Sequence, residues 1–337
     1  MFKKMKFWYI NARPVSLPQS LMPAVTAYFL AMSQEGFCWW LGLLAIFGGV
    51  FAHLGMNLAD DYFDYRKKES GFRDTLARAG FRARTTKCPY IVSGEATVQQ
   101  TLYAAITFGV IALIPGVIIL LNRGFVILLI AAIAIVLGHG YSGDPLRLSF
   151  RGFGELDIGV MFGPLLMAGV FYAACGHFSW TLAAPAVSMG LLVTSIVYVH
   201  SILDFDADQS VNKNTLAALL HTRGAQLAAL AVMLFGPYLV TAVLAALRLV
   251  HPLYLIVCIS LPWGITLFRS MCMFIQAPHE ELSHKGWYGP MGNWSLICEA
   301  KLDWFMFRWF LARNIMTAFA LLYVIASVVV FLLGSIS

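Results

Sequence analysis

Several acidic residues follow the second long apolar run of the chain, in GMNLADDYFDYRKK (55–68). Asn57, Asp61 and Asp64 stand at i, i+4 and i+7, so they share one face if the apolar run continues as a helix. Asp60 lies on the flank of that face. The spacing predicts a set of oxygen ligands at a helix end.

A second acidic cluster lies more than a hundred residues later, in HSILDFDADQSVNK (200–213). His200, Asp204 and Asp208 stand at i, i+4 and i+8, again on one helical face. Lys213 follows after a short polar stretch. The chain therefore repeats one arrangement, carboxylates at the end of an apolar helix followed by cations.

Two such clusters favour a metal–diphosphate site. Like charges at i and i+4 destabilise a helix, and facing carboxylates oppose one another's ionisation unless a cation lies between them. Mg²⁺ takes one or two carboxylates and completes its shell with water and substrate phosphates, and neighbouring lysines bind further phosphate oxygens. The clusters predict a Mg²⁺–diphosphate clamp at a membrane surface. The alternative is two solvated helix ends with ordinary surface charge.

The elements that position these clusters are membrane helices. The chain of 337 residues is 60% hydrophobic and only 12% charged, with a mean hydropathy of +0.76, whereas a soluble domain is about 25% charged. Since about 20 apolar residues cross a bilayer, nine spans are predicted. They are 17–34, 38–58, 98–121, 124–141, 155–175, 179–203, 225–247, 250–270 and 313–335.

The distribution of charge over the connecting segments predicts the orientation. All Lys and Arg residues except Arg123 and Arg248 lie in or next to the segments on one side of the membrane. The positive-inside rule makes that side, which includes the N-terminus, cytoplasmic. All acidic residues except Glu35 lie there too, although the rule does not require it. We therefore expect the active site at the cytoplasmic ends of the helices.

The aspartate clusters resemble the two motifs of the UbiA superfamily of membrane prenyltransferases, commonly written NDxxDxxxD and DxxxD. Asp60 occupies the asparagine position of the first motif, Asp61 and Asp64 match it, and Lys68 replaces its last aspartate. Glu69 or Asp74 is a candidate substitute for that ligand. Asp204 and Asp208 match the second motif.

Other segments resemble the 1,4-dihydroxy-2-naphthoate polyprenyltransferase branch of that superfamily. These are 12–28 (ARPVSLPQSLMPAVTAY), 90–100 (YIVSGEATVQQ) and 141–172 (YSGDPLRLSFRGFGELDIGVMFGPLLMAGVFY). The resemblance covers about residues 12–225. Two parts depart from it: His200, Ser201 and Leu203 replace the branch's usual residues before the second motif, and the segment 271–312 is long.

The resemblance implies a single transmembrane prenyltransferase domain over 1–337. It implies transfer of a polyprenyl group from an allylic diphosphate to a small aromatic acceptor, most specifically 1,4-dihydroxy-2-naphthoate in menaquinone biosynthesis. A bacterial inner membrane is the expected location, with membrane lipid around the protein and no nucleic acid as partner. Other acceptors of the superfamily remain open: 4-hydroxybenzoate, homogentisate, a tetrapyrrole or glycerol phosphate.

The same resemblance, with the residue chemistry, assigns expected roles. Asn57, Asp61, Asp64, Asp204 and Asp208 are expected to hold Mg²⁺. The residues expected to be catalytic are Asp61, Asp64, Asp204, Asp208 and Lys213. Those expected to bind substrate are Asn57, Asp60, Lys68, Tyr141, Arg147, Arg151 and His200. Lys68 and Lys213 are expected at the diphosphate, and Tyr141, Arg147 and Arg151 at the acceptor or the outer phosphate.

Other classes of protein fit the pattern less well. A secondary transporter would carry its carboxylates near the bilayer midplane, and a CDP-alcohol phosphotransferase would show its own aspartate motif on fewer spans. His53 and His139 are interpreted as interhelical hydrogen-bonding groups. The tryptophans of 271–312, expected to be a cytoplasmic loop, favour either an interfacial belt or a cap over the active site. HEELSH (279–284) lacks the HExxH spacing of a zinc site.

Overall fold

The computed structural model describes residues 2–66, 88–210, 213–276 and 282–334. Over these ranges the chain is helical, and its β pairing consists of an isolated parallel bridge between Arg151 and Asn214. The all-α class expected from the sequence is confirmed.

The helices are numbered here along the chain. They are α1 Phe2–Asn11, α2 Pro18–Ala31, α3 Trp39–Arg66, α4 Pro89–Val92, α5 Val98–Arg123, α6 Phe125–Ser142, α7 Gly154–Cys175, α8 Ala183–Leu203, α9 Phe205–Ser210, α10 Leu216–Leu219, α11 Arg223–Ala246, α12 Leu261–Gln276, α13 Trp294–Glu299 and α14 Asp303–Gly334. Short 3₁₀ turns occupy Pro14–Ser16, Leu148–Phe150, Trp180–Leu182, Pro252–Ser260 and Gly286–Tyr288.

Eight helical segments of the described chain are long and apolar enough to cross a bilayer. They match eight of the nine predicted spans. The first predicted span, 17–34, is the 14-residue helix α2, about 21 Å long and therefore shorter than a typical hydrocarbon core. The number of nine full-length spans is not confirmed.

The last span starts ten residues earlier than predicted, at Asp303 instead of residue 313. The sequence prediction placed this part, which contains the charged residue Arg308, in the 271–312 loop. In the structure Arg308 is fully buried, and its guanidinium donates to the backbone oxygens of Ser270 on α12 and Trp304 on its own helix. A charge that is satisfied inside the bundle does not end a membrane helix.

The helix α8 runs through the centre of the bundle. The Trp180–Leu203 span that contains it is 72% buried over its most apolar part, against 17% for the Phe125–Ser142 span. It crosses α7 with almost no space between them, since a methyl group at Gly163 would collide with the backbone of Gly190. The 143–153 loop leads into α7, and α8 leads into the second acidic cluster. The crossing therefore fixes the distance between the helices next to these two parts of the chain.

The outer surface of the bundle is apolar. Large side chains such as Leu113, Leu121, Ile135 and Leu239 are each more than half exposed, a pattern that in water would favour aggregation and that a bilayer accommodates. Together with the eight long apolar helices, this surface makes the chain an integral membrane protein.

Candidate active site

The first acidic cluster lies on the last turns of α3, which continues as one helix to Arg66. The continuation confirms the geometric condition under which Asn57, Asp61 and Asp64 share a face. Asp61 and Asp64 are buried, at 3% and 6% exposure. Carboxylates this deep need charged or hydrogen-bonding partners, and the structure supplies them from distant parts of the chain.

Arg13 provides the main counter-charge for this cluster. Its Nη2 atom lies 3.0 Å from Oδ2 of Asp60 and 3.2 Å from Oδ1 of Asp61, and it donates to the backbone oxygen of Asn57 at 2.7 Å. Burial alone would lower the pKa of Arg13, but the adjacent Asp61 and Asp60 raise it above its usual value. The guanidinium therefore stays charged and offsets both aspartates.

The backbone of Arg13 is arranged so that its side chain reaches this position. Arg13 has φ 59° and ψ 57°, a left-handed conformation that non-glycine residues adopt rarely. The Nδ2 atom of Asn57 donates to the backbone oxygen of Ala12 at 2.9 Å and to Oγ of Ser16 at 3.1 Å. Asn57, predicted as a metal ligand, thus ties the N-terminal turn to α3 in this structure.

Two hydroxyl groups complete the hydrogen bonding of the first cluster. Tyr90 donates to Oδ2 of Asp61 at 3.0 Å, and Ser142 donates to Oδ1 of Asp60 at 2.6 Å. Burial and, next, the charge of Asp61 raise the pKa of Tyr90, so its hydroxyl remains a donor. Both oxygens of Asp61 therefore have partners that a metal ion would have to share or replace.

A cavity of about 40 Å³ lies between the two halves of the site. It is large enough for two or three water-sized species, so it resembles a site for an ion and its water more than for a whole diphosphate. Its lining residues are Asp60, Asp64, Tyr141, Ser142, Ser149, Phe150 and Lys213. The first cluster and the lysine that follows the second cluster therefore share one polar space.

The second cluster begins where α8 ends. Asp204 and Asp208 are buried, at 1% and 2% exposure. Nδ1 of His200 lies 3.6 Å from Oδ2 of Asp204. The amide of Lys213 donates to the backbone oxygen of Asp208 at 3.0 Å, and the Nζ atom of Lys213 lies 3.7 Å from Oδ1 of the same residue. Lys213 thus connects the second cluster with the cavity.

Glu155 at the start of α7 positions the segment that carries Lys213. Its carboxylate accepts from the backbone amide of Leu216 at 3.1 and 3.3 Å and from Oγ of Ser201 at 2.7 Å. Leu216 is the first residue of α10, and a carboxylate at a helix N-terminus is favourable. One buried side chain therefore joins α7, α8 and the chain next to Lys213.

The predicted acceptor-side residues separate in the structure. Tyr141 lines the cavity. Arg147 places its guanidinium 4.2 Å from the ring centre of Phe150, and Phe150 is itself a lining residue. Arg151 is exposed and pairs through its backbone with Asn214, next to Lys213. The two arginines are neighbours of the cavity, not part of its described lining.

The two histidines interpreted as structural are hydrogen-bonded. His53 is buried, and its ring nitrogens lie 2.6 Å from Oγ of Ser20 on α2 and 3.2 Å from Oγ of Ser16. This confirms an interhelical role for His53. Nε2 of His139 lies 3.1 Å from the backbone oxygen of Asp144 in the turn that follows its own helix, so its bond is local and the interhelical interpretation of His139 is wrong.

Some predicted positions lie outside the described residues. They are Lys68, Glu69 and Asp74 after the first cluster, and His279 and Glu280 of HEELSH. Their expected roles stay predictions.

The donor set fits Mg²⁺. Within the described ranges, no three His, Cys, Asp or Glu side chains converge on one point, but Mg²⁺ requires only one or two protein carboxylates. Asp64 and Asp208 are buried carboxylates. Asp64 lines the same cavity as Lys213, and Asp208 forms an ion pair with Lys213. Asp61 is engaged by Arg13 and Tyr90.

Sequence reasoning missed Arg13 and Tyr90, which contact the aspartates, and Glu155, which positions the segment next to Lys213. All three lie in segments that resembled the naphthoate branch, so the resemblance was the available signal. Asp157 was also missed. It is 6% exposed, and neither of its carboxylate oxygens has a hydrogen-bond partner.

Comparison with known proteins agrees with this geometry. A family model, described as the UbiA prenyltransferase family, matches residues 20–283. The chain is 30% identical over 213 residues to a 1,4-dihydroxy-2-naphthoate octaprenyltransferase of Mycobacterium tuberculosis, covering 63% of this chain and 69% of that protein. It is 26% identical over 280 residues to a 2-carboxy-1,4-naphthoquinone phytyltransferase of Synechocystis, covering 82% and 85%.

Solved structures show the same fold. A structure concerned with digeranylgeranylglyceryl phosphate synthase matches with a TM-score of 0.61 at 16% identity, covering 97% of this chain and 99% of that chain. A UbiA homologue from Archaeoglobus fulgidus bound to GPP and Mg²⁺ matches with a TM-score of 0.56 at 12% identity, covering 94% and 99%. The family match over most of the chain and the helical bundle around two aspartate clusters lead to one conclusion: the chain belongs to the UbiA prenyltransferase family.

Proposed function

We propose that this protein transfers a polyprenyl group from an allylic diphosphate to 1,4-dihydroxy-2-naphthoate, in a reaction that requires Mg²⁺. The observation that carries the proposal is the shared cavity. Asp60 and Asp64 of one cluster and Lys213, the ion-pair partner of Asp208 in the other, meet there. Carboxylates and a lysine around one small polar space are the groups that a metal-bound diphosphate needs.

The residues that would hold Mg²⁺ are Asp64, Asp204 and Asp208. Asp61 would join them if its contacts with Arg13 and Tyr90 were broken. When bound, Mg²⁺ supplies positive charge that stabilises the departing diphosphate. Lys213 binds a phosphate oxygen as a point charge. Arg13 keeps Asp60 and Asp61 paired, so the first cluster does not repel the anionic substrate.

The reaction forms one carbon–carbon bond and breaks two bonds. One is the allylic carbon–oxygen bond. The other joins the acceptor carbon either to a proton, which the departing diphosphate takes up, or to a carboxylate, which leaves as CO₂. The bond between the allylic carbon and the diphosphate oxygen breaks, and its electron pair leaves with the diphosphate. An aromatic π face next to the departing diphosphate would stabilise the allylic cation. An activated carbon of the acceptor ring then bonds to the allylic carbon and loses its proton or carboxyl group. Tyr141 is the described lining residue suited to orient the acceptor hydroxyl.

The naphthoate acceptor is supported by the names of the relatives. Naphthoate polyprenyltransferases are similar to this chain at 24–30% identity, among them those of Mycobacterium tuberculosis and Bacillus subtilis. The GPP and Mg²⁺ bound by the Archaeoglobus fulgidus homologue support the same donor and metal here. We further propose that the protein resides in a bacterial inner membrane, serves menaquinone biosynthesis and has its site and N-terminus on the cytoplasmic side.

The proposal is tested with full-length protein in lipid nanodiscs. The protein is incubated with a labelled polyprenyl diphosphate, Mg²⁺ and one of three acceptors: 1,4-dihydroxy-2-naphthoate, 4-hydroxybenzoate or homogentisate. We expect prenylated product with the naphthoate alone. Product with another acceptor would correct the acceptor, and no diphosphate release with any acceptor would falsify the prenyltransferase assignment.

A matched pair of variants tests the site itself. Asp64→Asn removes a buried carboxylate that lines the cavity, whereas Asp206→Asn changes an exposed carboxylate on α9. We expect Asp64→Asn to abolish turnover and Asp206→Asn to retain it, with equal yields of folded protein. Full activity in Asp64→Asn would remove the carboxylate clamp from the mechanism.

A further inference from the structure

The segment between the last two long helices contains a run of thirteen residues without charge. This run, GWYGPMGNWSLIC (286–298), is flanked by Lys285 and Glu299. It is too short to cross a bilayer, but its length is typical of a segment that enters and leaves the same face. The structure also shortens the expected 271–312 loop, because α12 extends to Gln276 and α14 begins at Asp303.

The segment descends along the side of α14. The amide of Leu282 donates to Oδ2 of Asp303, the first residue of that helix, at 2.9 Å. Six residues later, the backbone oxygen of Tyr288 accepts from Nδ2 of Asn314 at 2.9 Å. Asn314 lies eleven residues into α14, about 16 Å along its axis. The chain therefore runs beside the helix and not above its end.

The segment then returns along the same helix. A Cβ atom at Gly292 would lie 3.3 Å from the ring of Phe310, and the ring of Trp294 lies 6.4 Å from that of Phe307. These neighbours lie successively nearer the start of α14 than Asn314 does. The order of contacts describes a hairpin with its tip at 286–291.

The neighbouring span gives an independent measure of the depth of the tip. The rings of Trp287 and Trp263 have centres 6.4 Å apart. Trp263 is the middle residue of the Pro252–Phe274 span. The tip thus reaches the centre of one span while its backbone is bonded to the other, so it fills the groove between them.

Two backbone oxygens of the tip, those of Tyr288 and Pro290, accept hydrogen bonds from side chains of α14, which is how a non-helical backbone is accommodated at membrane depth. Asn314 and Arg313 both donate to the backbone oxygen of Pro290, at 3.0 and 2.8 Å. Pro290 has no amide hydrogen that needs a partner. Arg313 is 8% exposed, and its guanidinium lies 4.5 Å from the ring centre of Phe310. The hairpin in turn provides Arg313, a buried arginine within a membrane span, with a hydrogen-bond acceptor.

The two faces of the tip differ. Tyr288 and Met291 are buried in the main core, at 7% and 3% exposure, whereas Trp287 is 53% exposed. Lys285 precedes the tip, and its long side chain can extend back toward the surface. An exposed tryptophan beside the middle of a span faces the hydrocarbon of the bilayer.

We infer that residues 282–302 form a re-entrant hairpin that enters the membrane from the face carrying the aspartate clusters, and that the exposed face of its tip binds lipid acyl chains. The hairpin replaces lipid in the groove between the Pro252–Phe274 and Asp303–Gly334 spans. Lipid and lipid-like substrates consequently reach the site by a path other than this groove. The inference is independent of the proposed reaction.

Nitroxide probes at single cysteines test the depth of the hairpin. Trp287→Cys and Ser283→Cys are prepared in a full-length, cysteine-free background in nanodiscs. Collisions with oxygen, which concentrates among acyl chains, are compared with collisions with a water-soluble nickel chelate. We expect the ratio of oxygen to nickel collisions to be several-fold higher at 287 than at 283. Equal access of the chelate to both positions would overturn the inference.

A second measurement avoids the cysteine-free background. The fluorescence of the wild-type protein is compared with that of Trp287→Phe in lipids brominated at different acyl positions. The difference between the two signals belongs to Trp287, and we expect bromine deep in the chain to quench it more than bromine near the headgroup. A Trp287 signal that no brominated lipid quenches would place the tip in water and contradict the hairpin.

Discussion

The Nη2 atom of Arg13 lies 3.0 Å from Oδ2 of Asp60, although 47 residues separate them in the chain. Arg13 lies in the turn between α1 and α2, and Asp60 lies near the end of α3. A residue of the N-terminal turn thereby becomes part of the charge balance of the site.

Replacing Arg13 should therefore affect both stability and activity. Arg13→Ala leaves the buried Asp61 and the partly buried Asp60 without their cation, a change that costs on the order of 3 kcal/mol. We expect a lower melting temperature and lost diphosphate release. Arg13→Lys retains the charge but not the planar fork, so an intermediate effect is expected. The exposed Arg248→Ala serves as control; wild-type melting in Arg13→Ala would contradict the role.

Lys213 should determine the affinity for the diphosphate. Lys213→Ala removes a charged contact worth about 1.5–3 kcal/mol, so KM for the polyprenyl diphosphate should rise about 10- to 100-fold. Lys213→Arg should recover part of the lost affinity for the diphosphate. Lys6→Ala, at an exposed residue, should leave KM unchanged. An unchanged KM in Lys213→Ala would show that the phosphate lies elsewhere.

Glu155 should act indirectly, by positioning Lys213. Glu155→Gln can still accept a hydrogen bond from Leu216 but loses its charge, whereas Glu155→Ala removes the link altogether. We expect KM for the diphosphate to rise more in Glu155→Ala than in Glu155→Gln, with a smaller change in kcat. Glu299→Gln, on an exposed residue, is the control. Equal effects of the two Glu155 variants would argue against positioning through the hydrogen bond.

Removal of divalent metal should stop the reaction reversibly. A chelator should abolish diphosphate release, and added Mg²⁺ should restore it, because charge on the leaving group must be offset. Conservative Asp208→Glu should require a higher Mg²⁺ concentration for half-maximal rate, and exposed Glu95→Gln should not. Full activity in the presence of excess chelator would remove Mg²⁺ from the mechanism.

Asn314 should hold the hairpin in place. Asn314→Ala removes donors to the backbone oxygens of Tyr288 and Pro290, so amide hydrogen exchange should accelerate over 286–293. Thr317→Ala is a matched control, since Thr317 donates to the backbone oxygen of Arg313 within its own helix. Unchanged exchange in Asn314→Ala would assign the anchoring to Arg313 alone.

The spans and the two aspartate clusters could be predicted because both are local patterns. Apolar length sets a membrane helix, and the 3.6-residue period sets which of Asn57, Asp61 and Asp64 share a face. The structure confirms this prediction in α3, which continues as one helix through all three residues. The start of α14 was predicted wrongly. The part that was missed contains Arg308, whose guanidinium donates to the backbone oxygens of Ser270 and Trp304, and the contact with Ser270 is set by packing.

The partners of the clusters could not be predicted by such rules. The contact of Arg13 with Asp60 and that of Glu155 with Leu216 join segments far apart in sequence. Tertiary packing determines which distant residue makes each contact. The conformation of the 282–302 segment could not be predicted for a related reason. Its tryptophans and glycines show no helical or strand period, and its backbone is satisfied by Asn314 and Arg313, which lie in another element.

The close contact between α7 and α8 at Gly190 lies far from the acidic cluster that follows α8, so a small rotation at the contact causes a large displacement of the cluster. Asp204 follows Gly190 by fourteen residues, about 21 Å of helix. A tilt of about 5° at the crossing would move that aspartate by about 2 Å, comparable to the length of a metal–oxygen bond. Helices tilt when the thickness of the surrounding bilayer changes. The rate of this enzyme should consequently depend on the acyl-chain length of its host lipid.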